Sequence, residues 1–131
     1  METRFLLQVI KDSAFEVRKH LCPGYLETVY ENALEVELKL RGISVKRQIP
    51  INVDYKGFSI GDFRVDMLVE NKVIVELKSV TNILPIHEAQ LVNYLTCTGI
   101  DDGILVNFGE TYACRHKTRI WEGHKFRPEN H

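Results

Sequence analysis

The chain has 131 residues, of which 44% are hydrophobic and 27% charged, with a formal net charge of −1. This size and composition fit one compact domain over residues 1–131 and exclude a largely disordered chain. No apolar run approaches the roughly 20 residues that cross a bilayer, so we expect no membrane contact. The first apolar stretch, residues 5–10, is too short for a signal peptide because charged residues follow it at once.

The three cysteines, Cys22, Cys97 and Cys114, are odd in number and widely spaced. They form neither a CxxC zinc pattern nor a disulfide framework. Such usage is typical of a reducing compartment, so we expect a cytoplasmic location and buried or half-buried thiols.

The charges are unevenly distributed along the chain. Residues 115–131 carry five basic and two acidic side chains, and the remainder is acidic overall. A basic tail could contact phosphates while an acidic body holds a cation. A solvated tail that keeps the protein in solution explains the same charges, so both interpretations stay open.

The amino-terminal third predicts two helices, the first over residues 3–21 and the second from about Tyr25 to Arg41. Pro23-Gly24 separates them, and Gly42 is placed to end the second. At 100° per residue, one side of the second helix gathers an apolar surface: Leu26, Val29, Ala33, Val36 and Leu40. Glu27 and Glu31, four residues apart, lie on its border beside Leu34 and Leu38. Like charges at this spacing suggest a site, although such pairs are also common on helix surfaces.

From Ile43 to Tyr55 the chain alternates apolar and polar residues, as strands do. Four further features extend the sheet: a turn at Lys56-Gly57, a strand over Phe58–Val69 broken near Gly61, a hairpin-like connection at Asn71-Lys72, and a strand over Val73–Val80. The last elements are a helix from Pro85 to about Cys97, a buried strand over Gly103–Phe108 and a strand around Thr118–Trp121. This order predicts an α/β fold with helices packed on a mixed sheet.

Three charged residues lie on two neighbouring predicted strands. Alternation places Phe63, Val65, Met67 and Val69 on one face of the first strand, and Arg64, Asp66 and Leu68 on the other. Glu76 and Lys78 interrupt an otherwise apolar second strand. An edge strand facing water would explain Glu-Leu-Lys alone, but Asp66 can approach Glu76 across the tight connection. Two converging carboxylates repel each other, and a hard divalent cation such as Mg²⁺ or Mn²⁺ removes that conflict.

The third helix adds Gln90 and Tyr94, four residues apart on one face, with His87 a turn earlier. Gln and Tyr side chains can hydrogen-bond a phosphate, a base or Lys78. They also suit a surface Gln and a core Tyr, and the pattern leaves both open. His87 is expected to be an ordinary helix residue, since hard cations select oxygen ligands.

Residues 24–30 read Gly-Tyr-Leu-Glu-Thr-Val-Tyr and match the motif that names the GxxExxY family. Further stretches also resemble that family: Pro23-Gly24, Tyr30-Glu31-Asn32-Ala33-Leu34, Asp66-Met67-Leu68-Val69, Val75-Glu76-Leu77-Lys78, Gln90-Leu91-Val92-Asn93-Tyr94-Leu95 and Val106-Asn107-Phe108-Gly109. The resemblance covers about residues 5–120. Two positions depart from it: Cys22 replaces a usual Gly, and Val65 replaces the Pro before Asp66, which leaves the carboxylate intact.

The resemblance places the chain in the PD-(D/E)XK nuclease superfamily and implies a restriction-endonuclease-like α-β-β-β-α-β core. It implies that Asp66 is the metal-binding Asp and that Glu76 and Lys78 form the (D/E)xK pair. Glu27 or Glu31 would complete the metal site. Gln90 and Tyr94 match the QxxxY motif of the exonuclease-like branch.

Together these observations predict a Mg²⁺- or Mn²⁺-dependent hydrolase of nucleic acid, with DNA favoured over RNA. The expected metal ligands are the side chains of Asp66, Glu76 and Glu27 or Glu31, together with the Leu77 carbonyl. Lys78 would orient the attacking water, and Gln90 and Tyr94 would steady the substrate or that lysine.

Arg64 would contact a neighbouring phosphate, or else pair with Asp62 or Glu76. The alternative function is an inactive nuclease-like module that binds nucleic acid or a protein partner. A groove this small is compatible with a homodimer, although no surface pattern demonstrates one.

Overall fold

The computed structural model describes residues 1–120. Its elements in chain order are α1 (Thr3–His20), α2 (Glu27–Leu40), β1 (Val45–Tyr55), β2 (Phe58–Val69), β3 (Val73–Lys78), α3 (Pro85–Thr98), β4 (Asp102–Asn107) and β5 (Ala113–Thr118). The predicted α/β order is confirmed. Within residues 1–120, no helix has the length and apolar character needed to cross a membrane.

The five strands form one mixed sheet in the order β1-β2-β3-β4-β5. Neighbours are antiparallel except β3 and β4, which run parallel and are joined through α3. Helices α1 and α2 cover one face of the sheet, where the larger core contains Leu6, Leu34 and Val75. Helix α3 covers the other face, where Leu91 and Leu95 pack on Ile74 and Leu105.

The last strand lies earlier in the chain than predicted. It spans Ala113–Thr118 rather than Thr118–Trp121, and Trp121 lies outside the described residues, as does most of the predicted basic tail. Among residues 1–120 the strand pairs with β4 alone, in a ladder that runs from Asn107–Ala113 to Asp102–Thr118. Its polar sequence suits an edge strand, which is why the hydrophobic pattern did not reveal it.

Most of the apolar surface predicted for α2 does not face the core, so its use to identify the buried side is wrong. Leu26, Val29, Val36 and Leu40 are exposed, whereas the buried residues are Tyr30, Glu31, Leu34 and Leu38. Tyr30 is fully buried and stacks on Phe108 at a centroid distance of 4.9 Å. The side of the helix that carries Glu31 therefore faces the sheet, where Glu31 is hydrogen-bonded to Arg47 and Gln48 of β1.

The expected burial of the thiols is only partly correct. Cys22 and Cys97 are exposed, and Cys114 is half-buried. Burial raises the pKa of the Cys114 thiol, the largest effect on it. The three free thiols therefore occupy unlike environments rather than a shared core position.

Strands β1 and β2 are longer than β3 and continue beyond it as a two-stranded arm, residues 49–55 and 58–65. The predicted break near Gly61 is a β-bulge in a continuous strand: Val53 pairs with Gly61 and Asp54 with Ser59, which leaves Ile60 unpaired. The arm packs against α3 through Ile49, Ile51 and Phe63.

The strict alternation predicted for β2 fails at Asp66. Met67 and Val69 lie in the core beneath α1 and α2, whereas Phe63 and Val65 pack with α3. At the same level β1 pairs Arg47 with Met67 and Ile49 with Val65, and the ladder skips Gln48 and Asp66. The side chains of β2 therefore switch faces of the sheet at the predicted catalytic aspartate, Asp66.

Candidate active site

Asp66 and Glu76, here called the carboxylate pair, meet where β2 separates from β3. The ladder between these strands contains only Met67–Val75, Leu68–Ile74 and Val69–Val73. Beyond it, the Asp66 backbone N–H donates to Glu76 Oε1 at 3.0 Å, and the Leu77 N–H donates to Asp66 Oδ2 at 2.8 Å. Each carboxylate thus replaces a ladder hydrogen bond with a bond to the opposite strand.

The pair is partly desolvated, and Glu76 is only 8% exposed. Burial, reinforced by the negative charge of Asp66, raises the pKa of Glu76 to about 8. Without a cation, the buried site therefore holds a proton at neutral pH. A hard divalent cation would replace that proton, so the donor chemistry of the pair fits Mg²⁺ or Mn²⁺.

The Leu77 backbone faces the same opening. Its N–H reaches Asp66 on β2, and the N–H and C=O of one strand residue are directed toward the same neighbouring strand. The backbone groups of the next residue point the opposite way, toward β4, where the Lys78 carbonyl accepts the Phe108 N–H at 2.8 Å. A third oxygen, from main chain, is therefore directed toward the carboxylate pair.

Lys78 ends β3, on the same face as Glu76 by alternation. It is half-buried, and its positive charge lowers the pKa of Glu76, against the larger raising effects of burial and of the Asp66 charge. Its ammonium group makes no ion pair with the residues that the structure describes. It is therefore available to a phosphate or a water molecule.

Helix α3 brings Tyr94 within electrostatic reach of the carboxylate pair. Burial and the negative charges of Glu76 and Asp66 raise the pKa of Tyr94, whose ring stacks on Phe63 at 4.0 Å. Gln90 lies one turn earlier and is exposed. His87 Nδ1 accepts the Leu84 N–H at 3.0 Å and so caps the helix start, which agrees with its prediction as an ordinary helix residue.

Arg64 is exposed on the arm, and its Nη1 donates to the Gln48 carbonyl at 3.3 Å. Neither of the ion pairs considered for it, with Asp62 or with Glu76, is present within residues 1–120. Its guanidinium group therefore lies beside the break in the β1–β2 ladder at Gln48 and Asp66.

The two glutamates of α2 stand in different environments. Glu31 is 6% exposed and is held by Arg47, whose Nε lies 3.0 Å from Oε2, and by Gln48, whose Nε2 lies 2.9 Å from Oε1. Glu27 begins the helix and is exposed. Its carboxylate has no hydrogen-bond partner in the described part of the chain.

The expected three-carboxylate cluster is not assembled in this geometry. Residues 1–120 contain no group of three or more His, Cys, Asp or Glu side chains placed to hold a metal. The physical reason is that Arg47 neutralises Glu31 while Glu27 remains at the exposed start of α2. Two side-chain carboxylates and the Leu77 main chain therefore form the site as it stands.

Sequence reasoning missed the residues that shape this site. Gln48 adopts a φ of 52° at the position that the β1–β2 ladder skips. Its role is visible in this backbone conformation and was not visible in the sequence. Phe63 also shapes the site. An aromatic residue three positions before Asp66 was the sequence feature that could have indicated it.

The motif tyrosine, Tyr30, is also structural. Its hydroxyl donates to the Cys22 carbonyl at 2.6 Å and accepts the Tyr25 N–H at 3.2 Å. It thereby fixes the loop that presents Glu27.

Comparisons with known proteins agree with this architecture. The family model of the PD-(D/E)XK nuclease superfamily matches residues 4–120. A solved structure titled "Crystal structure of SSO0001" superposes with a TM-score of 0.59 at 19% identity, over 73% of this chain and 51% of that one. This chain therefore spans about half the length of that protein, and the likeness concerns the fold alone.

The five-stranded sheet flanked by helices is consistent with the expected restriction-endonuclease-like fold. No curated protein sequence matches the chain. The match is described at the level of the superfamily, so membership of the narrower GxxExxY family stays a prediction.

Proposed function

Because the chain belongs to the PD-(D/E)XK nuclease superfamily, we propose that it is a metal-dependent nuclease that hydrolyses phosphodiester bonds, with DNA as the favoured substrate. The observation that carries this proposal is the carboxylate pair at the separation of β2 and β3, with Lys78 beside it. A buried carboxylate whose pKa is strongly raised beside a second carboxylate is characteristic of catalytic and metal-binding sites.

Asp66 and Glu76 would hold one or two Mg²⁺ or Mn²⁺ ions, together with the Leu77 carbonyl and a glutamate from α2. When bound, such an ion polarises the phosphate and lowers the pKa of a coordinated water. Lys78 would orient the attacking water and offset the negative charge that develops on the phosphate. Tyr94 and Gln90 would position the substrate strand, and Arg64 would contact the adjacent phosphate.

The contribution of α2 differs between its two glutamates. Glu31 anchors Gln48 opposite Asp66, so its first effect is to hold the strand break in place. Glu27 has a free carboxylate in the described structure, on a helix start fixed by Tyr30. Both remain candidates for the additional ligand.

The test is a cleavage panel of labelled single- and double-stranded DNA and RNA with Mg²⁺ or Mn²⁺, comparing wild type with Lys78→Ala. We expect cleavage by the wild type and a loss of at least about 100-fold in the variant, typical of removing an electrostatic catalytic group. Lys46→Ala is the matched control, since Lys46 is an exposed lysine on β1. Full activity of Lys78→Ala would refute the role assigned to this lysine.

The second candidate function is a nuclease-like module that binds nucleic acid or a protein without cutting. It is favoured by one observation, the absence of a third carboxylate beside the pair within residues 1–120. Following thermal stability while titrating Mg²⁺ or Mn²⁺ separates the two candidates, because binding to the folded state raises the melting temperature. If neither ion shifts melting, the inert module is supported. Homodimerisation and cytoplasmic location remain predictions.

A further inference from the structure

A cleft lies between the arm and α3, and its lining includes Tyr94, which is within electrostatic reach of the carboxylate pair. It has a volume of about 390 Å³ and is lined by Val53, Phe63, Asn93, Tyr94, Thr96 and Cys97. The volume lies within the roughly 300–1,000 Å³ of small-ligand pockets. All of the lining residues are uncharged, so the cleft suits a neutral, flat group rather than a phosphate.

Phe63 and Tyr94 form an aromatic platform in this cleft. Their ring centroids are 4.0 Å apart, and the rings are nearly parallel, with an interplanar angle of 15°. Both side chains are half-buried, so the pair is held in place by the protein while part of it reaches solvent. Such fixed aromatic surfaces bind nucleobases by stacking, without needing a particular sequence.

Tyr94 connects the platform to the proposed reaction centre. It belongs to the cleft, and it also lies within electrostatic reach of both Glu76 and Asp66. Phe63 lies three residues before Asp66 on the same strand. A nucleotide with its phosphate at the carboxylate pair would therefore have its base beside these rings, where the Asn93 amide offers polar groups to the base edge.

We propose that this cleft binds the unpaired base of the nucleotide next to the scissile phosphate, so that the substrate is single-stranded nucleic acid or a frayed strand end. The inference rests on the proposed function. Bases inside a duplex are stacked on both faces by their neighbours, and they must leave the helix before a protein ring can replace such a neighbour.

The experiment compares Phe63→Leu with the wild type on single-stranded oligonucleotides of one sequence, either intact or with an abasic site at each position in turn. Binding is measured by fluorescence anisotropy in Mg²⁺, with Lys78→Ala as the background to prevent cleavage. Base–aromatic stacking contributes about 1–3 kcal/mol per base. Phe63→Leu should therefore weaken binding of the intact strand roughly 5- to 150-fold.

The substitution should have no further effect on the strand whose abasic site falls at the cleft. This comparison is internal to one variant and so remains valid if Phe63→Leu lowers stability. Phe63→Trp, which restores a ring, should recover binding. Phe58→Leu is the matched control, since Phe58 lies on the same strand, 73% exposed and outside the cleft.

The outcomes separate this inference from the proposed function. Equal weakening of intact and abasic strands, or no weakening, overturns the base subsite even when the wild type cleaves. Tighter binding of blunt duplex than of single strands also overturns it. If no substrate is cleaved but the abasic comparison behaves as expected, the subsite is supported and the nuclease function fails.

Discussion

Replacing Glu76 by Gln removes the titrating group of the carboxylate pair while keeping its shape. In the wild type, burial and the charge of Asp66 raise the pKa of Glu76 to about 8, whereas an unfolded glutamate titrates near 4.5. Between these values the unfolded chain releases its proton and the folded chain retains it. The contribution of Glu76 to stability is therefore largest below the unfolded pKa and is lost as pH rises toward about 8.

The expected loss is roughly 1 kcal/mol per pH unit, or about 3 kcal/mol between pH 5 and pH 8. In Glu76→Gln this dependence should flatten, because the amide can still accept the Asp66 N–H through its oxygen and donate to the Asp66 carboxylate. The variant should become the more stable protein toward pH 8.

Urea unfolding in EDTA at several pH values measures this difference. Glu110→Gln, at an exposed position, controls for the loss of one carboxylate. Parallel stability profiles for wild type and Glu76→Gln would refute the reasoning, because they would show that Glu76 titrates alike in the folded and unfolded chains.

Two further predictions concern proton release on metal binding and the packing of Gly109. Mg²⁺ binding at pH 7 should release close to one proton, because the ion displaces the proton held by Glu76, and above pH 9 it should release almost none. Calorimetry in buffers of different ionisation enthalpy measures the number of protons released. A number that does not change with pH would contradict the prediction. Gly109→Ala should cost at least about 3 kcal/mol of stability, because the new Cβ would lie 1.7 Å from the Val80 carbonyl oxygen. Gly61→Ala, whose Cβ meets nothing within 4 Å, should change urea stability by less than about 0.5 kcal/mol, and equal effects of the two substitutions would disprove the steric argument.

Periodicity predicted most of the fold because local pattern and tertiary packing agree there. The change of period after Gly42 and the apolar runs of β3 and β4 identify elements that the structure confirms. Helix α2 was misread because its exposed side is also apolar, so hydrophobicity alone cannot choose the face. The tertiary packing of Tyr30, Leu34 and Leu38, including the stacking of Tyr30 on Phe108, identifies the buried side.

The meeting of Asp66 with Glu76 was predictable because a tight hairpin joins their strands. The detailed geometry was not, because Asp66 lies where strict alternation stops. The rule that successive side chains alternate between the two faces of a sheet cannot describe a position at which that alternation is interrupted. The partner of Glu31 was also hidden, since nothing in the sequence pairs it with Arg47, sixteen residues away.

The arm has one further consequence for how the molecule responds to change. A two-stranded ribbon is only marginally stable by itself, so its order depends on the contacts of Ile49, Ile51 and Phe63 with α3. Hydrogen exchange should be fastest at its tip and slow toward Asp66, with α3 as the support. Weaker packing between the arm and α3 would increase hydrogen exchange in the arm, on one side of the candidate active site, while the rest of the sheet stayed protected from exchange.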